Sequence, residues 1–600
     1  MFRKERLWKM VGLVVLLALV AGCGPAPTPE VVEKVVKETV VVEKEVEVTK
    51  EVEVEVVVTK EVEVEVVVTA TPEPKPPMGE PVEEFQVMTM TAVEDPRRFE
   101  ISRLAVDAWE DLGIPAELWP VASPVMVEQA WDGKIYQVYF IHHDPNPDRM
   151  EPDTWLYTYY HSSNVGPSGS NLSGYQNPEY DALVEAQRSE PDTAKRKEII
   201  DKAQEWLYNA QPFHPFAHLH LAGIYNKDTF GDPTIFVGNP VYNFWGLSSL
   251  KPLTDRQVIR AGLSRDFETT NPMAVSNPED FNWLSLMYDK LGRIAPDGTA
   301  QPWAAESIDA ISPSEYEVTL REGMTWHDGK PVTAQDVAFT FNYAKEKQGV
   351  WFVSALQRLE KAEVVGPNKV RFTLTEPFVP FVANVLCQVF LLPKHVWEDI
   401  ENPLEVPNDN PIGSGPWKFD YWRTMEESML VRFEDHFQPP VAEGLLHVTY
   451  GSIDGMLGAL EEGSIDTVGE ILTVAQVEQL EGLPHIKVEK VVEFGMEGVY
   501  FNTRFEPFND RIFRQALCLA FPIDDIIKIV LRGAGDPAGS IVAPALEFWH
   551  NDSIPAFSYD PERAKELLLE AGYTWDEKGM LHYPTPENDK RDIDTGPHLY

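Results

Sequence analysis

The ten residues from Thr49 to Val58 return verbatim from Thr59 to Val68, and both copies alternate glutamate with valine over most of their length. Alternation with a period of two is the pattern of a β-strand, but this stretch supplies no second layer to cover the valines. The run that follows, Thr71 to Pro77, is proline-rich and extended. A chain built this way cannot place a core before about residue 84, so its folded body must lie beyond that point. A transient β-ribbon is one local form. The reading taken here is a disordered, low-complexity Glu/Val/Pro tether over 24–83, a stalk of at most roughly 200 Å if fully extended.

Ahead of the tether stand Arg3, Lys4, Arg6 and Lys9, then an apolar stretch from Val11 to Val20 that is short for a bilayer span. It ends on Ala21-Gly22-Cys23, small residues before a cysteine, which resembles a bacterial lipoprotein processing site. Residues 1–23 are therefore expected to be a signal peptide, with lipidation at Cys23. Two or three acyl chains hold a protein on a membrane far better than one. An uncleaved anchor helix is the alternative. The expected location is the cell envelope, on the outer face of the bacterial cytoplasmic membrane, periplasmic or extracellular.

Composition excludes several partners. With 51 basic and 96 acidic residues the formal charge is −45, so nucleic acid and anionic lipid surfaces would be repelled. Cys387 and Cys518, the cysteines after Cys23, sit in apolar helical contexts and suggest neither a disulfide framework nor a metal site. His142, His143, His214, His218 and His220 are of metal-ligand type, but their spacing is a weak signal, and no metal or other cofactor is expected. There is no Gly-x-Ser-x-Gly, no His-Glu-x-x-His and no phosphate-binding glycine loop. The expectation is a binding protein and not an enzyme.

Beyond the tether the sequence carries a series of short motifs. Val258 to Leu263 reads as a strand, followed by Thr270-Asn271-Pro272 and Leu286-Met287-Tyr288-Asp289. Trp303-Ala304-Ala305-Glu306-Ser307 precedes an alternating strand from Tyr316 to Leu320 and a turn at Asp328-Gly329. Thr333 then has the position of a helix N-cap, with Asp336 at the third helical residue. Pro411 to Trp417, Tyr500-Phe501-Asn502-Thr503, Phe513 to Leu517 and Tyr559 to Tyr573 complete the series. Together these resemble family 5 of the bacterial extracellular solute-binding proteins, the dipeptide- and oligopeptide-binding lipoproteins of ABC importers.

In the order usual for that family, the last third of the body would follow. Here the matching segments come first: the strand Phe85 to Met90, the helical spacing of Phe99 to Leu112, and Ser170-Asn171-Leu172-Ser173-Gly174 leading to Asn177-Pro178-Glu179-Tyr180-Asp181. The resemblance implies an α/β fold of the periplasmic-binding-protein type II-like kind, circularly permuted, with two lobes around a cleft and a small inserted domain. The expected division is the second half of lobe III over 84–212, lobe I over 213–300 and 411–495, the domain II insertion over 301–410, the first half of lobe III over 496–585, and a tail over 586–600. A gene-model error joining two receptors is the alternative to a permutation.

The resemblance also implies a function and a site. A small polar solute, peptide foremost, would be captured between the lobes and delivered to ABC permease subunits by a monomeric receptor. An oligosaccharide or metal-complex receptor, or a sensing or scaffold protein that no longer transports, are the alternatives. The ligand's amine is expected on Asp148, with Asp144 the other candidate. His143, Ser170 and Asn171 are expected polar contacts, and Phe281, Tyr288, Trp417 and Phe501 the aromatic walls. The arginine that holds the ligand carboxylate in dipeptide receptors is replaced by Ala92, with Arg97 and Arg98 nearby. That departure puts a dipeptide receptor in doubt.

Overall fold

The computed structural model describes residues 78–145, 147–167 and 169–594. Cys23 and nearly all of the expected tether lie outside the described residues, as do the side chains of Pro147 and Asp148. The fold is mixed α/β, as expected. It is organised by one large sheet whose strands run in the order 417–423, 427–432, 444–449, 258–263, 467–468, 213–226, 496–501, 138–143, 85–90 and 116–121.

The strand Phe213–Asn226 carries this arrangement. It is long, and it is buried along nearly its whole length on both faces. Its first half pairs with Met496–Phe501 and Gly535–Pro537, and its second half pairs with Ile486–Val492. Two chain segments, 217–220 and 492–497, therefore cross side by side from one end of the sheet to the other. Lobe III is the end carrying the strands of 85–143 and 496–501, and lobe I is the end carrying 258–263 and 417–468.

In lobe III, Phe85–Met90 lies parallel to both Ala116–Val121 and Val138–His143. The helix Pro96–Asp111 that connects the first two is capped by Asp95, whose side chain accepts from the Arg98 N–H, and starts on proline. Apolar residues cover both faces of this end of the sheet. One cluster includes Phe85, Trp109, Phe140 and Phe513, and the other Met88, Tyr139, Trp155 and Tyr500. Segments far apart in sequence are stitched together here. Val82 N–H donates to Leu581 O at 2.9 Å, Tyr583 N–H to Glu80 O at 2.9 Å, and Pro81 bridges His582 in antiparallel register.

The sequence between the lobe I strands 258–263 and 417–423 forms a separate four-stranded antiparallel sheet, in the order 305–312, 315–320, 369–374 and 359–366. Glu315–Leu320 and Lys369–Leu374 alternate buried and half-buried residues, the pattern of a sheet with one covered face. The helix Ala334–Glu346 packs on it and starts with the capping box anticipated from Thr333 and Asp336. Both later cysteines are free and buried. Among the described residues no helix is long and apolar enough to cross a membrane.

Candidate functional site

Ligands of open α/β sheets bind outside the carboxyl ends of parallel strands. In lobe III those ends release Thr91 after Phe85–Met90, Ala122 after Ala116–Val121 and Asp144 after Val138–His143. The antiparallel register sets Met496 opposite His143 and Glu497 opposite His142. Two acids in an otherwise apolar run, Glu493 and Glu497, are thereby brought to the crossover beside the end of the Val138–His143 strand.

The result is a built ionic cluster. His142 Nε2 lies 3.0 Å from both carboxylate oxygens of Glu493, and its Nδ1 lies 3.0 Å from Asp144 Oδ1. Glu493 also accepts the Leu219 N–H at 3.0 Å, which ties it to the crossing strand. Arg97 Nη2 pairs with Glu497 at 2.7 Å. The side chains of Glu493 and Glu497 are buried, whereas that of Asp144 is 62% exposed.

Burial alone would lower the pKa of His142, but the facing Glu493 and Glu497 carboxylates, with the bonds to Asp144 and Glu493, push it up to about 10. It is an imidazolium at neutral pH. For Asp144 burial works upward, but the His142 bond and charge, with Arg149 and Arg98 behind them, hold its carboxyl well below the usual range. Glu493 and Glu497 are thus buried among their cationic partners, and Asp144 is the carboxylate of the cluster that is displayed to solvent. Chemically this is a fixed anion at the strand ends, suited to receive a cationic group.

Of the residues expected from sequence, His143 and Asn171 lie buried away from the exposed carboxylate. His143 is buried, bonded by Nε2 to Tyr500 Oη at 3.0 Å and ringed by Trp155, Tyr159 and Phe213. Burial, with the nearby Arg149 and His142 charges, pushes its pKa well down. Asn171 is buried and ties its own loop, donating to the carbonyls of His161 and Tyr175 and accepting from Ser173 and Gly174. Ser170 is half-buried beside it. Asp148 belongs to the short 3-10 turn Pro147–Met150, and its side chain lies outside the described residues.

The four expected wall aromatics are all core residues in this structure. Phe281 stacks on Trp351, Tyr288 accepts from Asn408 Nδ2 at 3.2 Å, Trp417 donates to Ser248 Oγ at 3.3 Å, and Phe501 stacks on Phe508. Such rings fill the volume behind the strand ends, where their area is removed from water. The histidines weighed for metal also have other partners: His218 bonds Gly495 O at 2.9 Å, His220 pairs with Asp536 at 3.0 Å, and His214 packs on Phe521 and Phe557. Sequence reasoning missed Glu493 and Glu497, and considered His142 only as a metal-ligand type and Arg97 only as a neighbour of the position where dipeptide receptors hold the ligand carboxylate. The available signal was two acids inside the apolar run from Val491 to Phe501.

Comparison with known proteins places these features in context. Residues 299–595 match the family model for bacterial extracellular solute-binding proteins, family 5 Middle. The chain is 29% identical over 282 residues to the oligopeptide-binding protein AppA of Bacillus subtilis, covering 45% of this chain and 51% of that protein. It is 26% identical over 305 residues to the dipeptide-binding protein of Escherichia coli, covering 47% and 55%. The chain thus spans about half the length of the curated relatives it matches. Among solved structures, the ABC transporter substrate-binding protein CtaP of Listeria monocytogenes aligns with a TM-score of 0.47 at 27% identity, over 54% of this chain and 66% of that one.

Proposed function

By the match of residues 299–595 the chain belongs to the bacterial extracellular solute-binding proteins of family 5, and on that premise we propose that it is the peptide-binding receptor of an ABC importer. The observation that carries this reading is Asp144: an exposed carboxylate, held ionised by His142, at the carboxyl end of a parallel strand beside the crossover. A peptide's terminal ammonium would bond to it directly, and charge-assisted bonds of that kind set ligand register. Asp144, the other candidate from sequence, is the residue we assign to the amine.

Closure would turn on the two crossing segments, 217–220 and 492–497. Ligand shifts the open–closed equilibrium by its differential affinity for the closed form. The closed receptor docks on permease subunits in the membrane and performs no reaction of its own. Lipid attachment at Cys23 and the stalk of 24–83 keep it near that permease. We also infer that the body is a circular permutation. Strands from 85–143 complete a sheet with strands from 496–501, and residues 79–82 bond to 581–583.

The test is native mass spectrometry of the purified protein, followed by denaturing release of any bound small molecule. A peptide that is released from the wild type and lost in Asp144→Asn supports the proposal. A released sugar or metal complex keeps a receptor and overturns the ligand class.

A further inference from the structure

The strand Phe213–Asn226 runs from lobe III to lobe I. Val138–His143 runs in the same direction, since both are antiparallel to Met496–Phe501, whereas Val258–Leu263 runs against it. The carboxyl ends of the two sets of parallel strands therefore point toward each other across the crossing segments. In lobe III, Ala92 and Val93 follow Phe85–Met90, and Pro124 and Val125 follow Ala116–Val121; all four are exposed, Val93 by 94%. In lobe I, Met425 stands in the turn between Trp417–Arg423 and Glu427–Arg432, and Ile471 follows Thr467–Val468; they are 65% and 52% exposed. The pairing of these strands puts both at the same end as the carboxyl end of Val258–Leu263.

The acids of the same loops are bonded to loop donors. Glu94 Oε2 accepts the Ser123 N–H at 3.1 Å, and Glu470 Oε1 accepts the Ser264 N–H at 2.8 Å and its hydroxyl at 2.6 Å. Asp266 accepts from Trp422 Nε1 at 3.0 Å and from the Met425 N–H. Each acid ties two loops together, and the apolar residues beside these ties, Val93, Met425 and Ile471, are displayed. A lone exposed apolar residue is ordinary, but a set gathered at facing strand ends marks a surface that a ligand covers.

We propose that these loops form an apolar clamp that selects peptides carrying large aliphatic side chains on their first two residues. The proposal rests on the peptide-receptor reading of Asp144. In the order of the sheet the loop at Val93 stands next to Asp144 and the loop at Val125 one strand further, and neighbouring strands lie about 4.8 Å apart. A peptide whose ammonium is on Asp144 reaches over both. Successive side chains of an extended peptide point to opposite faces, so one of the first two meets Val93 and Val125 of lobe III and the other meets Met425 and Ile471 of lobe I. Closure takes both from water, an affinity gained only in the closed form.

The test compares Leu-Leu-Gly-Gly-Gly with pentaglycine on the full-length protein by isothermal titration calorimetry. The leucine peptide should bind about thirtyfold more tightly or better, because two leucine side chains leave water. In the triple variant Val93→Asn, Met425→Asn, Ile471→Asn that ratio should fall to about threefold or less, with an unchanged circular dichroism spectrum. If neither peptide binds, the peptide-receptor reading falls and this proposal falls with it. Equal affinities in the wild type leave that reading standing and overturn the clamp, as does a leucine preference that survives in the triple variant. If the triple variant fails to fold, Val93→Asn alone should lower the ratio about threefold, and an unchanged ratio overturns the clamp.

Discussion

Replacing Asp144 by asparagine removes a charge but leaves an oxygen that still accepts from His142 Nδ1. Because the side chain is 62% exposed, the change should move the thermal midpoint little. A hydrogen bond to a charged group contributes about 1.5–3 kcal/mol, so peptide affinity should fall by roughly tenfold to a hundredfold, read by calorimetry. His142 is the reverse case. Its loss in His142→Ala strands Glu493 in a dry site, and breaking a buried pair costs about 3–5 kcal/mol, read by urea denaturation. The pH dependence has a definite sign. The folded pKa of His142 is raised from the ordinary 6.5 to about 10, so its contribution to stability is fully present below about 6.5 and is lost as pH rises through about 10. In His142→Gln this component should vanish, and the gap in stability between wild type and variant should close across that window. A gap that stays constant with pH would mean that the imidazole is neutral in the folded state.

Between residues and the whole stand the crossing segments, where backbone approaches backbone. A Cβ on Gly495 would meet His143 O at 2.2 Å, and one on Gly498 would meet the Phe213 ring at 1.9 Å. Overpacking of this kind costs about 1–3 kcal/mol. Gly495→Ala is therefore expected to lower the urea midpoint and, because it displaces the His143–Asp144 backbone, to weaken ligand binding as well; loss of stability with unchanged affinity would separate the crossover from the site. Local elements of this kind were partly legible in the chain. The Thr333 cap, the Tyr316–Leu320 alternation and the Phe99–Leu112 spacing each reflect local rules, and each appears in the structure near its expected bounds. The Phe213–Asn226 strand was not legible as the central one, because a strand buried on both faces loses its period-two signal. Nor could motif residues reveal their direction. Tyr288 and Trp417 sit in turns and strand starts that border the lobes, yet their rings point into the core, a choice made by packing volume and not by sequence spacing. His142 and Glu493 are 351 positions apart, and only the register of Met496–Phe501 brings them together.

At the scale of the molecule, chain order and spatial order disagree, and that disagreement can be tested by cutting and rejoining. Pro81 bridges His582 in antiparallel register, and Gly79 N–H donates to Tyr583 O at 3.1 Å. Antiparallel partners can be joined through a short hairpin, so a chain running from 583 toward 79 meets no topological obstacle. The opposite site for opening lies near Leu253, Thr254 and Asp255, which are exposed and fall between strands. A chain that starts at Asp255, runs to Asp594, continues through a flexible linker of about fifteen residues and then runs from Met78 to Thr254 changes only which bonds are covalent. Loop closure grows slowly with length, by about 0.6 kcal/mol per doubling, so the rearranged chain should match the parent's unfolding free energy within about 2 kcal/mol. It should also release the same bound molecule on denaturation. Both properties follow if the chain is a permuted receptor whose lobe III is assembled from its two ends. A rearranged chain that is soluble but empty, or that unfolds in two separate transitions, would instead mean that 78–254 and 255–594 fold as independent units, and the permutation would be withdrawn.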